Sequence, residues 1–185
     1  MGDIRSCIVQ KKLYHGTLKK FKDAILESGF TVSTREDNYL GTGVYFYEEP
    51  KLAVIWAQKK ATYCKDSPVV FETVLSNSSV LDLTDDSVSR EVENFVAQID
   101  RQCVLRKRKL RKRQIMAQKA TMYIDTYCNK VGIDIVKGRV YCGERMFLYD
   151  AGIIYRTEVQ YCVRNPSIIS KTIVAYAEES DYDAI

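Results

Sequence analysis

Tyr45 and Trp56, the latter the only tryptophan of the chain, stand eleven residues apart. Two large aromatic faces at such a separation could wall a flat ligand from opposite sides. Gly41 and Gly43 precede Tyr45, and without a Cβ each lets the backbone turn tightly or approach another group closely. The single histidine, His15, is followed by Gly16 and Thr17. An imidazole can position a hydroxyl or move a proton near neutral pH, and one isolated histidine serves equally well as a structural group. Glu158 and Gln160 lie two apart in the run Ile153 to Val163, so a strand there places both on one face, about 6 to 7 Å from each other. The carboxylate can take a proton, whereas the amide can donate and accept hydrogen bonds but stays neutral. The longer dinucleotide fingerprint is missing, because no Gly-x-Gly-x-x-Gly opens a helix.

Metal chemistry is disfavoured. The six cysteines (7, 64, 103, 128, 142 and 162) form no Cys-x-x-Cys pair, and with one histidine a structural zinc site lacks ligands. Reduced thiols in a cytoplasmic protein are expected, although Cys7 and Cys142 could pair. No apolar run is long enough to cross a bilayer, and residues 1–10 lack a signal-peptide core, so no membrane association is expected.

At 185 residues the chain suits one domain with a sizeable core. Its net charge of +4 is unevenly spread. Nine of the 28 Lys and Arg fall between residues 101 and 119, where there is no acid, leaving 19 bases against 24 acids elsewhere. The run Arg106, Lys107, Arg108, Lys109, Leu110, Arg111, Lys112, Arg113 makes a strong local positive field. It suits a solvated helix face, a contact for nucleic-acid phosphates or a dock for an acidic partner. No aromatic is interleaved with it, which counts against single-strand stacking.

The elements that must position these residues are written in local patterns. Lys11 to Gly16 reads as a strand ending in a turn at Gly16-Thr17, and Phe21 to Ser28 as a helix stopped by Gly29. Thr31 to Asn38 is a polar surface loop. Val44 to Phe46 is a short buried strand, and Pro50 marks the first turn of a helix. That helix runs through Lys51 to Tyr63 with Leu52, Ile55, Trp56, Lys59 and Lys60 at amphipathic spacing. Val69 to Leu75 and Val80 to Leu83 are strands. Val92, Val96, Ile99 and Cys103 define one helix, and Met116, Ala120, Tyr123 and Tyr127 another. Ile133 to Val136 is a short strand ended by Gly138. In the strand Ile153 to Val163, Arg156, Glu158 and Gln160 share one face. Asn165-Pro166 ends it, and Ile173 to Tyr176 adds an edge. Sheet and helix alternate irregularly, which favours an α+β domain over residues 1–177, with a helical insertion at 85–130 and a mobile acidic tail at 178–185.

Leu13-Tyr-His-Gly-Thr17, Gly41-Thr-Gly-Val-Tyr-Phe46 and Gln160-Tyr-Cys-Val-Arg-Asn165 occur in that order. Together they resemble the three motifs of the ADP-ribosyltransferase superfamily, in its diphtheria-toxin and poly-ADP-ribose polymerase branch. Ala53 to Ala57 and Asn165-Pro166 are similar to segments of small bacterial and phage toxins related to that branch. The resemblance spans residues 12–166 and leaves 85–130 unaccounted for. It implies a split mixed or antiparallel sheet with a groove for NAD as co-substrate, cleavage of the nicotinamide–ribose bond, and transfer of ADP-ribose to an acceptor.

The resemblance also implies roles. His15 would hydrogen-bond the adenosine ribose, and Gly16, with Thr17 beside it, would meet the nicotinamide carboxamide. Tyr45 and Trp56 would sandwich the nicotinamide ring, Gly43 would line the groove, and Arg35 would meet a phosphate. Gln160 stands where the family has Glu, so it would orient the ribose without acting as a base. Glu158 would then approach the acceptor, or else only partner Arg156 or solvent. Ala53 replaces a serine found in many polymerases. The activity so implied is that of a mono-ADP-ribosyltransferase of toxin-like kind, acting on a protein or nucleic acid, with an acidic antitoxin as one candidate partner. The alternatives are an NAD glycohydrolase and a binding module that has lost turnover.

Overall fold

The computed structural model describes residues 6–8, 10–35, 38–76, 78–102, 112–148 and 152–177. Its strands are β1 (Ser6–Ile8), β2 (Lys11–Leu18), β3 (Val44–Tyr47), β4 (Pro68–Leu75), β5 (Ser78–Asp82), β6 (Ile135–Leu148), β7 (Gly152–Val163) and β8 (Ile169–Ala177). The helices are α1 (Lys22–Ser28), α2 (Pro50–Cys64), α3 (Asp86–Gln102) and α4 (Lys112–Val131). All eight strands join one mixed sheet in the order β1-β5-β6-β7-β3-β2-β4-β8. Only β5 and β6 run parallel; every other neighbouring pair is antiparallel. The fold is α+β.

The sheet has a seam. β2 pairs with β4 along its whole length, from Lys11 opposite Leu75 to Leu18 opposite Pro68. With β3 it pairs only where Tyr14 faces Tyr47. The expected split is therefore a parting of two strands within one continuous sheet. Near the closed end, Lys11 Nζ meets Glu48 Oε1 at 2.5 Å and Tyr161 donates to Glu48 Oε2 at 3.1 Å. The Lys11 ammonium holds the Glu48 carboxyl below its ordinary range against the opposing effect of burial.

Alternation along the strands divides the core. Leu13, Val44, Phe46, Phe71, Tyr161 and Val163 bury on one face. On the other, Leu81, Val136 and Cys162 pack under Val88 and Val92 of α3 and Ile124, Tyr127 and Cys128 of α4. Tyr47 of β3 and Val70 of β4, on that same face and on either side of the seam, pack under α2. Two groups of helices, α3 with α4 and α2 alone, thus cover one face of the sheet in which β2 and β3 part.

Helix α2 buries its small residues. Pro50 does occupy the first turn, where its missing N–H leaves no hydrogen bond unmade. The buried stripe, however, is Ala53, Ala57 and Ala61, while the larger Leu52, Ile55 and Trp56 turn toward a cleft. The reason is close packing of α2 on β2, where a Cβ added to Gly16 would lie 2.1 Å from the Ala53 carbonyl oxygen. Only small residues fit at that contact.

Gly16-Thr17 is accordingly not a turn; the strand continues to Leu18. Gly138 likewise does not end its strand. It sits inside β6 opposite Gln160, and a Cβ there would lie 2.6 Å from Leu40 Cδ2. β8 is longer than the expected 173–176 and forms the sheet edge. The helix at α1 ends at Gly29 as expected, with φ at +81°. Arg106, Lys107, Arg108, Lys109, Arg111, Cys103 and the tail 178–185 lie outside the described residues. Of Lys112 and Arg113 only the backbone, at the start of α4, is described, and the side chains of Cys7, Cys142 and Arg156 fall outside as well. No described helix is long and apolar enough to cross a membrane.

Candidate active site

A cleft of about 600 Å³ lies over the seam, within the span of roughly 300 to 1,000 Å³ usual for small-ligand pockets. Its floor comes from His15 and Gly16 of β2, Tyr45 and Tyr47 of β3, and Glu158 and Gln160 of β7. Ile55, Trp56, Lys59 and Lys60 of α2 form one wall. Ser33, Arg35, Asn38 and Gly43 form the rim opposite. Residues as far apart in the chain as His15 and Gln160 thus meet at one site. Thr17 does not join them. It is 3% exposed and does not line the cleft, because the strand runs on where a turn was expected.

His15 bridges the parted strands. Its Nδ1 lies 2.8 Å from the Tyr45 carbonyl oxygen, which can only accept, so Nδ1 carries the proton. Edge-to-face contacts with Phe30 and Phe46, at 5.1 and 5.6 Å between centroids, hold the ring from the side. Burial, helped by the positive charge of Lys60, pushes the His15 pKa down to about 4 despite the Tyr45 bond. At neutral pH the ring is uncharged, and Nε2 remains a hydrogen-bond acceptor.

Tyr45 is fixed at its far end. Its hydroxyl donates to the Gly41 carbonyl at 2.8 Å and accepts from the Leu40 N–H at 3.1 Å. Burial pushes its pKa well above the ordinary phenol value. The ring therefore serves as a wall, and its hydroxyl stays protonated. Trp56 is 50% exposed, its open face available to a second flat group.

Gln160 Nε2 donates to the Tyr47 hydroxyl at 3.3 Å, consistent with their opposed positions on β7 and β3. Glu158 follows on the same face, opposite Val140 of β6. Tyr47 was not identified from the sequence, where it looks like one more buried aromatic. Among the described residues of the cleft, the cations Arg35, Lys59 and Lys60 face one carboxylate, Glu158, a balance suited to an anionic ligand.

The rim is organised by bonds to distant residues. Ser33 and Gly43 exchange backbone hydrogen bonds of 3.0 and 3.2 Å, and Asn38 Nδ2 donates to the Ser33 carbonyl at 3.2 Å. In the expected surface loop at 31–38, the described residues Thr31, Ser33, Arg35 and Asn38 thus line the cleft. Gly43 is needed for approach to β7, since a Cβ would lie 2.4 Å from Cys162 Sγ. Gly41 has φ at +89°, in the left-handed region. Beyond it, the Thr42 N–H and hydroxyl donate to the two oxygens of Asp125, at 2.9 and 2.7 Å. Arg164 donates to Asp125 Oδ1 and, at 2.8 Å, to Asn129. Helix α4, within the insertion that the motifs leave unexplained, therefore holds the glycine segment in place. Nothing near Asp125 in sequence signals this.

The thiols Cys128 and Cys162 are buried, which pushes both pKa values up to about 12, and neither is a usable nucleophile near neutral pH. Among the described residues no three His, Cys, Asp or Glu side chains gather to hold a metal.

No protein-family model matches the chain. The uncharacterized protein MJ0359 of Methanocaldococcus jannaschii is 34% identical in an alignment 82 residues long that covers 41% of this chain and 38% of that protein. The chain thus spans less than half the length of that relative. Among solved structures, a chain in the crystal structure of the M. tuberculosis MbcT-MbcA toxin-antitoxin complex superposes with a TM-score of 0.49 at 10% identity. The match covers 92% of this chain and 87% of that one.

Proposed function

We propose that the protein is an NAD-dependent mono-ADP-ribosyltransferase. The observation that carries this reading is the convergence of His15, Tyr45, Trp56 and Gln160 on one cleft at the parting of β2 and β3. Beyond Tyr14, β3 offers β2 no ladder partner, so the strand edge at Gly16 can present backbone groups to a carboxamide. Tyr45 and Trp56 then take the nicotinamide ring between them, where aromatic faces favour its positive charge. His15 Nε2 accepts a hydroxyl of the adenosine ribose, and Arg35, Lys59 and Lys60 balance the pyrophosphate.

Gln160, steadied by Tyr47, orients the nicotinamide ribose through hydrogen bonds. It brings no negative charge to the developing cation, and it cannot take a proton. Glu158, one strand repeat away, accepts the proton of the acceptor as the new bond forms at the ribose carbon. Nicotinamide leaves with the electron pair of the broken bond. A single transfer suits this arrangement better than chain growth, because Gln160 cannot activate a ribose hydroxyl of a first ADP-ribose unit.

The test is incubation with NAD labelled in its adenylate half, together with separate pools of protein, RNA and DNA. Release of nicotinamide with label on a macromolecule is the expected result. Free ADP-ribose alone would make the protein a glycohydrolase, and tight NAD binding without nicotinamide release would make it a binding module. No NAD binding at all would remove the reading.

A further inference from the structure

Helix α2 does more than wall the cleft. Trp56, Lys59, Lys60 and Tyr63 stand at i, i+3, i+4 and i+7, which makes one stripe about 10 Å long. The first three line the cleft. Tyr63, one turn further out, is 91% exposed, so packing gives no reason for an aromatic there. Phe21 lies beside the stripe, 43% exposed, with Lys20 Nζ at 5.3 Å and Lys60 Nζ at 5.7 Å from its ring centroid. That ring holds two ammonium groups in place on the same surface. From Pro50 to Cys64 there are three lysines and no acid.

We propose that this stripe docks a single-stranded nucleic acid and leads it into the cleft, so that on the transferase reading a nucleotide is the acceptor of ADP-ribose. Ammonium groups set between exposed aromatic rings match a strand whose phosphates alternate with open base faces. A duplex hides those faces. An acidic peptide satisfies Lys20, Lys59 and Lys60 but leaves the Tyr63 ring without a partner. Continuity with the cleft supplies the direction, because the stripe begins at Trp56 and runs outward. In the transfer itself, a nucleotide oxygen or nitrogen bonds to the ribose carbon as the bond to nicotinamide breaks. The electron pair departs with nicotinamide, and the proton of the nucleophile passes to Glu158.

Binding is read without NAD, by fluorescence anisotropy of a labelled oligothymidylate added to the full chain. The single strand should bind at least tenfold more tightly than a duplex of equal length, with affinity falling steeply as salt rises. Tyr63→Ala should weaken it about tenfold, and Lys20→Glu should weaken it and flatten the salt dependence. Neither variant should alter the rate of nicotinamide release measured without oligonucleotide. Equal affinity for single strand and duplex, competition by polyglutamate as effective as by oligonucleotide, or unchanged affinity in both variants would each overturn the docking surface. A wild-type protein that binds the oligonucleotide as described but never releases nicotinamide would overturn the transferase reading and leave the docking surface standing.

Discussion

The imidazole of His15 spans the gap between two strands of one sheet, its Nδ1 2.8 Å from the Tyr45 carbonyl oxygen. The contact lies just beyond the Tyr14–Tyr47 pair, the last point at which β2 and β3 meet. A side chain thus takes over where the backbone ladder stops, and it lines the cleft over the space the ladder vacates.

Burial of that ring, against the opposing effect of the Tyr45 bond, makes stability depend on pH. The folded-state pKa of His15 is depressed to about 4 from 6.5, so the unfolded chain binds the extra proton between those values. The contribution is fully present above pH 6.5 and is lost as pH falls toward 4. Its size is on the order of 2 to 3 kcal/mol. Denaturant titrations at pH 7 and pH 4.5 should show this loss in the wild type and a smaller one in His15→Asn, and equal losses would remove His15 as the cause.

Trp56→Ala should cost little stability, within about 1 kcal/mol, because the side chain is half exposed. It should weaken NAD binding by about 1 to 3 kcal/mol. As the only tryptophan, Trp56 also reports directly: its emission should change on addition of NAD or nicotinamide. Unchanged emission at saturation, with normal binding by W56A, would place the aromatic slot elsewhere.

Glu158 and Gln160 should separate in kinetics. Glu158→Gln should cut transfer roughly 10²- to 10⁴-fold with little change in NAD affinity. Gln160→Ala should impair binding and cleavage together, and Gln160→Glu should retain or raise cleavage. Titration of NAD binding beside nicotinamide release and acceptor labelling distinguishes the three. Wild-type transfer by E158Q would rule out its role as base.

Asp125→Ala frees the glycine segment and leaves Arg164, a largely buried cation, without its carboxylate. The expected loss is about 2 to 4 kcal/mol. Asp125→Asn keeps an acceptor for Thr42 but not the charge opposite Arg164, and should lose less stability than Asp125→Ala. If the clamp positions Tyr45, D125N should raise the KM for NAD more than it lowers kcat. A stable variant with both constants unchanged would reduce the clamp to a packing feature.

Much of the strand and helix order was legible because its signals are local. Pro50 opens a helix, Gly29 closes one, and the alternation from Ile153 to Val163 places Glu158 beside Gln160 on the same face. Two glycines misled because their reason was a neighbour distant in sequence. Gly16 and Gly138 look like strand ends, yet each sits mid-strand to admit Ala53 and Leu40 respectively. The amphipathic pattern of α2 was real but pointed its large residues to the cleft, since a helix lying so close to a strand buries alanines. Asp125, Arg164 and Tyr47 carried no local signal at all. Their partners are set by how the chain returns on itself.

The bonds from Thr42 to Asp125 join residues 83 positions apart, and Arg164 reaches them from later still. On the ribosome, β2, β3, α2 and β4 all emerge before α4 has been made. The glycine segment is among the first parts of the cleft to be synthesised and among the last to be secured. A nascent chain therefore possesses Tyr45 and Trp56 while lacking the groups that hold its rim, and such distant contacts form late because closing the intervening chain costs entropy before they repay it. The rim of the cleft is thus secured only after Asp125 and Arg164 have been made, a delay set by the order of translation.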